Sequence, residues 1–506
     1  MTNLPCIRSL WLVLLFAPFL AAQAPVATRE AAELPKQYDL RKVGGVTPIK
    51  RQQGGTCWAH GTIAAIESNL LVSGAWKKLG GSQTLALSEY HLDWWNGFNQ
   101  HQNTDNANVG KDRTGLLVHL GGDYRVSAAY IARGDGVVPA SWTEDRRVTM
   151  PVLGIGLDPS WYRYAPAKVD PRLKRYYVRD IEWFTIGANL ENIDVIKTRV
   201  VRHGAVGTAM AVNKTLMSKD SVHYQPLDHK YKPNHAVAIA GWDDNKVSSD
   251  PTKKLPKPGC WLIKNSWGTD RGDKGYYWIS YYDKVCCRDQ EMGAVSFRNV
   301  EPMKYTHVYY HDYHGWRGTM KEINKAFNRF VATANHKLGS LSFYTAADNV
   351  RYTAKIYSKF ENGELKGLRA TKSGMIEVTG FHTVDLDAPI NVAKGETFIV
   401  YVEFSTGGHA IDRTSEIEVL LSPLRPVGDE GLAVRGVQPK KKKKAGPKGP
   451  TGPNGGPIVI SRANPGESYY HDGTAWRDLY DHRFNNPAWA TFDRTANFCM
   501  KALVIR

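Results

Sequence analysis

Apolar side chains follow a helical period immediately downstream of Cys57. The positions that share one face are Trp58, Ala59, Ile63, Ile66 and Leu70. Spacings of three and four residues are typical of an amphipathic helix, so the pattern predicts a helix with a single cysteine at its start. Similar patterns predict a helix over 124–133 that ends at Gly134, and another from 191 to a break at Gly204.

Two later runs of small apolar and β-branched residues, Asn234–Trp242 and Cys260–Gly268, predict strands that line a cleft. Each run carries one polar group with catalytic potential, His235 in the first and Asn265 in the second. After Tyr305 the pattern changes to short alternating strands separated by Gly and Asn turns. We therefore expect an α+β region followed by an all-β sandwich.

The position of Cys57 favours nucleophilic chemistry. A sulfur at a helix N-terminus lies at the positive end of the helix dipole, which favours thiolate over thiol. A thiolate also needs a general base and a group that orients the base, and His235 and Asn265 are residues of those two types. A glutamine just upstream of the cysteine has a side-chain amide that suits an oxyanion.

Three segments then occur in an order that resembles the papain family of cysteine proteases. They are Gln...Cys-Trp-Ala ending at Ala59, Asn-His-Ala-Val at 234–237, and Lys-Asn-Ser-Trp-Gly at 264–268. Three matches in one order are a much stronger signal than any one alone. The resemblance implies a two-lobed peptidase over residues 34–300, with the nucleophile helix in a helical lobe and His235 and Asn265 in a β-barrel-like lobe.

The resemblance also implies a role for each matching residue. Cys57 would attack as a thiolate paired with His235, Asn265 would hold the imidazole, and Trp267 would shield that bond from water. The remaining implied site residues are Gln52 with the backbone N–H of Cys57 as oxyanion donors, Gly121 and Gly122 as a wall for the substrate backbone, and Asn234 and Ala236 at the substrate side-chain pocket. The chain has one residue fewer than usual between glutamine and cysteine, so Gln53 remains an alternative to Gln52 as oxyanion donor.

Residues 303–506 resemble the lectin-like β domain attached to some bacterial papain-type peptidases. An internal echo, Tyr-Tyr-His-Asp at 309–312 and again at 469–472, predicts two neighbouring strands of one sheet. Between the copies, a Lys, Gly and Pro-rich stretch at about 425–457 contains Lys440–Lys444 and is predicted to be a mobile basic insertion. Electrostatic tethering of these lysines to an anionic surface is an alternative interpretation.

The N-terminal sequence and the net charge bear on location and partners. Residues 1–24 contain a short apolar run followed by small residues, which is typical of a secretory signal, and 25–33 form a short linker with no room for a long inhibitory segment. No second apolar run is long enough for a transmembrane segment, so we expect a secreted protein. The net charge is +17, but no basic helix carries interleaved aromatics, which argues against nucleic acid as a partner.

Cysteine usage and ligand spacing complete the expectations. Five cysteines follow the signal, which suits one free nucleophile and up to two disulfides among Cys260, Cys286, Cys287 and Cys499. No zinc-type spacing occurs, so we expect neither a metal nor another cofactor.

The function predicted is a cysteine endopeptidase that acts through an acyl-enzyme on protein or peptide substrates, with a β domain for binding or targeting. The alternative is a non-catalytic protein that binds glycans or cell surfaces on a degenerate papain scaffold.

Overall fold

The computed structural model describes part of the chain in detail. It covers residues 34–506 except 53, 80, 82–84, 101–102, 104–113, 142–165, 167, 169–174, 290–291, 418, 421–454 and 485–491. The predicted signal at 1–24, the linker at 25–33, Gln53 and the lysines Lys440–Lys444 lie outside the described residues. No helix in the described ranges has the length and apolar character needed to span a membrane.

Five α-helices occur in the described part of the chain, and the helical predictions are confirmed. They are α1 (Cys57–Val72), α2 (Ala75–Lys78), α3 (Glu89–Trp95), α4 (Tyr124–Ala132) and α5 (Ile193–His203). Helix α3 begins where Ser88 accepts a hydrogen bond from the backbone N–H of His91, an N-cap that satisfies one of the free amides of the first turn.

The strands come in two groups along the chain. Those before residue 303 are β1 (Gln37–Asp39), β2 (Tyr176–Phe184), β3 (Val206–Met210), β4 (Val222–His223), β5 (His235–Asp243), β6 (Cys260–Lys264), β7 (Tyr276–Ser280) and β8 (Ala294–Pro302). The later ones are β9 (Tyr305–Tyr309), β10 (Gly318–Met320), β11 (Lys325–Val331), β12 (His336–Thr345), β13 (Val350–Glu361), β14 (Glu364–Ile376), β15 (Gly380–Val392), β16 (Thr397–Phe404), β17 (His409–Arg413), β18 (Ser415–Glu416), β19 (Ile458–Val459), β20 (Ser468–His471), β21 (Trp476–Asp478), β22 (Ala496–Phe498) and β23 (Met500–Ile505).

Helix α1 packs against β5 and β8, and its buried side chains form the centre of the first hydrophobic core. Trp58, Ile63, Ile66 and Leu70 are all fully buried there. Burial of each large apolar side chain is worth about 1.5–3 kcal/mol, so this face fixes the helix, and with it Cys57, against the sheet. The expected α+β fold is confirmed for this part of the chain.

The later strands form the expected sandwich. One layer is a six-stranded sheet in the order β14-β13-β16-β11-β20-β21, and the facing layer contains β12, β15, β17 and β23. A second hydrophobic core lies between the layers, with Leu338, Leu341, Phe343, Ile356, Phe398, Val400 and Val504 among its members. Alternating burial along the first half of β13 follows from the period of two in a strand, whereas the second half of β12 is buried on both faces.

The two parts of the molecule share one sheet. Strand β15 pairs with β2 in antiparallel register, with Phe381 opposite Ile181 and His382 opposite Asp180. The resulting sheet runs β10-β17-β12-β15-β2-β8-β3-β5-β6-β7-β4. Side-chain contacts reinforce the junction, because Nδ1 of His382 lies 3.1 Å from an Asp180 carboxylate oxygen.

One expectation about this part of the fold is wrong. The echo does not form neighbouring strands: β9 pairs with β23, whereas β20 pairs with β11 and β21 in the other layer. The two copies therefore contribute to different sheets. The sequence allowed up to two disulfides or reduced cysteines, and the five cysteines of the described residues are all free and buried, with the neighbouring sulfurs of Cys286 and Cys287 3.9 Å apart.

Candidate active site

Strand pairing brings the predicted base and its orienting residue together. His235 is the first residue of β5, and Asn265 directly follows β6. The two strands are antiparallel, with Ala238 opposite Lys264, so the start of one lies beside the end of the other. Nε2 of His235 lies 2.8 Å from Oδ1 of Asn265, a buried hydrogen bond.

Two side chains fix the imidazole of His235, and its second ring nitrogen has no hydrogen-bond partner among the described residues. The indole of Trp267 stacks on it, with ring centroids 4.3 Å apart and an interplanar angle of 23°. Nδ1 is buried and has no hydrogen-bond partner among the described residues. Burial lowers the pKa of His235 to about 4, and the bond to Asn265 only partly opposes this effect. The ring is therefore a neutral imidazole with one nitrogen available as a base.

Cys57 is the first residue of α1 and is fully buried. Burial raises the pKa of its thiol to about 12, while the backbone amides of Ala236, Trp58 and Cys57 itself act in the opposite direction. The hydrogen bond from the backbone amide of Ala236 places the sulfur of Cys57 next to Ala236, which directly follows His235. Burial of the sulfur therefore opposes the thiolate that the helix dipole favours.

Gln52 lies in a loop that is fastened to the Asn265 motif. Its backbone N–H donates to the carbonyl of Ser266 at 2.7 Å, and the Ser266 hydroxyl donates to Oε1 of its side chain at 2.7 Å. Nε2 donates to the carbonyl of Gly54 at 2.8 Å, which uses one of its two N–H groups. Ser266 thus orients Gln52, a role that sequence reasoning did not assign.

Gly121 and Gly122, the predicted wall, lie close to helix α1. A Cβ on Gly122 would lie 2.5 Å from the indole of Trp58, so only glycine fits there. Gly121 has φ +110°, and a Cβ on it would collide with the side chain of Val419. The wall is buried, and a segment from the β-rich part of the chain covers it.

The residues that flank His235 differ in their surroundings. Asn234 is tied to the backbone of Val212, because its Oδ1 accepts from that N–H at 2.8 Å. Ala236 is buried in the same apolar cluster as Cys57.

A cavity of about 380 Å³ lies on the side of Trp267 and Asn265, and its lining includes Met210, Val212, Lys214, Met217, Arg271 and Tyr277.

A largely buried cluster of charged side chains lies beneath the site, and it was not predicted from the sequence. Lys50 Nζ lies 2.6 Å from Glu67 and 2.7 Å from Glu89, and Lys264 donates to the carbonyl of Pro48. Burial lowers the pKa of Lys264 to about 8. A signal was available, because Glu67 is a carboxylate within the apolar helix α1 and buried charges require partners.

Comparisons with known proteins agree with this arrangement. The family described as "Papain family cysteine protease" matches residues 34–92 and 165–296, and that described as "Lectin like domain" matches 308–420. "Probable cysteine protease RD19D" of Arabidopsis thaliana is 28% identical over 279 residues, which is 54% of this chain and 64% of that protein. "Cysteine proteinase 15A" of Pisum sativum is 29% identical over 283 residues, 55% of this chain and 66% of that protein. The chain thus spans less than two thirds of these relatives.

A solved structure covers both parts of the molecule. The cysteine protease and lectin-like domains of Cwp84, a surface layer associated protein of Clostridium difficile, align with 93% of this chain and 89% of that one. The TM-score is 0.62 and the sequence identity 21%, so the likeness is one of fold.

Proposed function

The chain contains a papain-family C1 domain followed by a lectin-like domain, and we propose that the first is an active cysteine endopeptidase. The observation that carries the proposal is the setting of His235. Asn265 binds one ring nitrogen at 2.8 Å, Trp267 covers the ring, and the other nitrogen is vacant. A base that is fixed on one side and free on the other is what a thiol nucleophile requires.

The reaction follows from these groups. Nδ1 of His235 takes the thiol proton of Cys57, and the sulfur attacks the carbonyl carbon of the scissile peptide bond. The imidazolium then returns its proton to the leaving amine as the C–N bond breaks, which leaves a thioester on Cys57. Water attacks the thioester with His235 again accepting a proton, and the sulfur leaves as the acid product is released.

The oxyanion of each tetrahedral intermediate needs donors beside Cys57. The side-chain amide of Gln52 and the backbone N–H of Cys57 are the proposed pair. Ser266 holds Gln52 by its Oε1, so the amide nitrogen is preoriented before substrate arrives. A donor of this kind is usually worth about 2.7–4 kcal/mol in the transition state.

The β-rich part is proposed to bind a glycan or another surface polymer, and the protein to act outside the cytoplasm. The match to a lectin-like family over 308–420 supports the first, and the predicted signal at 1–24 supports the second. Cwp84, which shares this fold, is a surface layer associated protein, and that location agrees with the second proposal. No observation in the described residues favours the non-catalytic alternative.

The test is cleavage of a peptide library by the wild-type chain, with products identified by mass spectrometry. Cys57→Ala should abolish cleavage while leaving the melting temperature within a few degrees, because the substitution removes only the sulfur. Cys260→Ala is the matched control, since it removes another buried thiol and should leave the cleavage products unchanged. Cleavage by Cys57→Ala at the rate of a wild-type chain that is itself active would contradict the proposal.

A further inference from the structure

The segment that covers the glycine wall comes from the lectin-like part of the chain. It directly follows strand β18, in which Ser415 pairs with Val459 and Glu416 with Ile458 of β19, and so belongs to the connection between these two strands. We call Ile417, Val419 and Leu420 the covering residues. The backbone N–H of Ile417 donates to the carbonyl of Pro457, the residue before β19. The pairing of the two strands therefore extends one residue beyond β18.

The covering residues contact the wall as a peptide would. The backbone N–H of Leu420 donates to the carbonyl of Gly122 at 3.2 Å, and Val419 lies against Gly121 where any side chain on the glycine would collide with it. A main-chain hydrogen bond to the wall is the contact that an extended substrate needs, because it does not depend on side-chain identity.

The covering residues are also part of the core that surrounds the nucleophile. Ile417 and Leu420 are fully buried and Val419 is 3% exposed. They belong to the same apolar cluster as Cys57, Trp58 and Ala236. The segment is therefore buried against the glycine wall and belongs to the core of the molecule.

Polar contacts hold the pair of strands β18 and β19 in place. The guanidinium of Arg317 donates to the Ser415 hydroxyl at 2.8 Å and to the Glu416 carbonyl at 2.6 Å. On the other strand, the carbonyl of Ile458 accepts from the backbone N–H of Gly115 at 2.6 Å. This strand pair thus bridges the β sandwich and the loop that leads to the glycine wall.

We propose that the covering residues are a built-in plug that occupies the substrate cleft and keeps the peptidase latent until the pair of β18 and β19 moves. The proposal rests on the proposed function. Cys57 and His235 are both fully buried in the structure in which this segment is seated, which is the arrangement that a latent peptidase requires. The dry site also favours an uncharged thiol and imidazole, since burial raises the pKa of Cys57 and lowers that of His235. Admission of water on opening would reverse both effects.

The first test replaces one covering residue. Leu420→Asp places a carboxylate in an apolar cluster, so the segment should leave the cleft. Leu368→Asp makes the same exchange on β14, where Leu368 is 56% exposed, and serves as the matched control. The readout is the rate at which iodoacetamide alkylates Cys57, measured by peptide mapping on chains whose fold is verified by circular dichroism. We expect at least a tenfold increase for Leu420→Asp and no change for Leu368→Asp.

Alkylation reports access without requiring hydrolysis, so the two proposals fail separately. If alkylation accelerates in Leu420→Asp but no peptide is cleaved, the result supports the plug and contradicts the peptidase function. If the wild type cleaves peptides and Leu420→Asp changes neither alkylation nor cleavage, the function stands and the plug fails.

A second measurement needs no substitution. Complete modification of Cys57 in the wild-type chain with a peptidyl chloromethyl ketone fills the cleft from the nucleophile outward. Hydrogen exchange at Leu420 should then become faster, because its amide loses the carbonyl of Gly122. Unchanged exchange at Leu420 in the fully modified chain would overturn the proposal.

Discussion

Replacement of Asn265 by alanine tests the positioning of the base. In the structure, Oδ1 of Asn265 lies 2.8 Å from Nε2 of His235, and both residues are buried. Alanine removes the acceptor and leaves a ring N–H without a partner in a site where Trp267 limits access to water. The imidazole then loses both its fixed orientation and its preferred tautomer.

The size of the effect follows from the burial of this bond. Leaving one partner of a buried hydrogen bond unsatisfied costs about 1–3 kcal/mol. Because about 1.36 kcal/mol corresponds to a factor of ten in rate, kcat/KM should fall about 5- to 150-fold. The bond to Asn265 also raises the pKa of His235 against the effect of burial, so its loss should lower that pKa further.

The assay compares kcat/KM for a fluorogenic peptide at equal concentrations of titrated active sites, with an NMR titration of the imidazole as a second readout. Asn192→Ala is the matched control, because it removes an exposed hydrogen bond to Thr185 at the start of α5. It should leave both readouts unchanged. If Asn265→Ala retains kcat/KM within twofold and an unaltered pKa of His235, Asn265 does not position the base.

Three further predictions concern the same region. Glu67→Ala should lower the free energy of unfolding by about 1.5–3 kcal/mol in urea titrations, because it removes a charged hydrogen bond from the partly buried ammonium of Lys50, which keeps only Glu89; a loss under about 1 kcal/mol would mean that water replaces the carboxylate. Burial alone would raise the pKa of Glu89, but Lys50 outweighs it and lowers the pKa to about 2. Its contribution to stability is therefore present above the unfolded pKa of about 4.3 and lost as pH falls towards 2, so Glu89→Gln should flatten the melting temperature between these values; an unchanged slope would argue against the pair. Trp267→Ala should lower kcat/KM about 2- to 13-fold, since a stacked ring pair is worth about 0.5–1.5 kcal/mol; an effect confined to KM would assign Trp267 to substrate binding alone.

The nucleophile, base and orienting residue were identifiable from sequence because each lies in or beside a regular element with its own local pattern. Helix α1 begins at Cys57 as its apolar period predicts, and the strands that carry His235 and lead to Asn265 read as apolar runs. Their approach to one another then follows from antiparallel pairing of neighbouring strands. The roles assigned to these residues remain proposals until the variants are measured.

Features that depend on distant pairing were not predictable in the same way. Alternation marks Tyr305–Tyr309 and Ser468–His471 as strands but does not encode which strand each will join, and the two lie in different sheets. For the same reason, the sequence did not predict the pairing of β2 with β15 or the hydrogen bond from Leu420 to Gly122. Both contacts join residues that are far apart in the chain, where packing of whole elements decides the register.

The charge state of the nucleophile was also beyond the sequence. The helix dipole favours the thiolate, whereas burial favours the neutral thiol and raises the pKa of Cys57 to about 12. The odd cysteine count allowed two disulfides, yet the five described cysteines are all thiols. Each sulfur is buried, and a count of cysteines does not reveal which of them approach one another in the fold.

The central claim is that Cys57 forms a covalent acyl-enzyme with His235 as its base. The most direct measurement is the intact mass of the wild-type and Leu420→Asp chains after rapid acid quenching of their reactions with a peptide ester. The account predicts a mass increase equal to the acyl group, mapped to Cys57 and absent in His235→Ala. Product formation with no adduct at Cys57, or an adduct that forms equally fast without the imidazole, would contradict it.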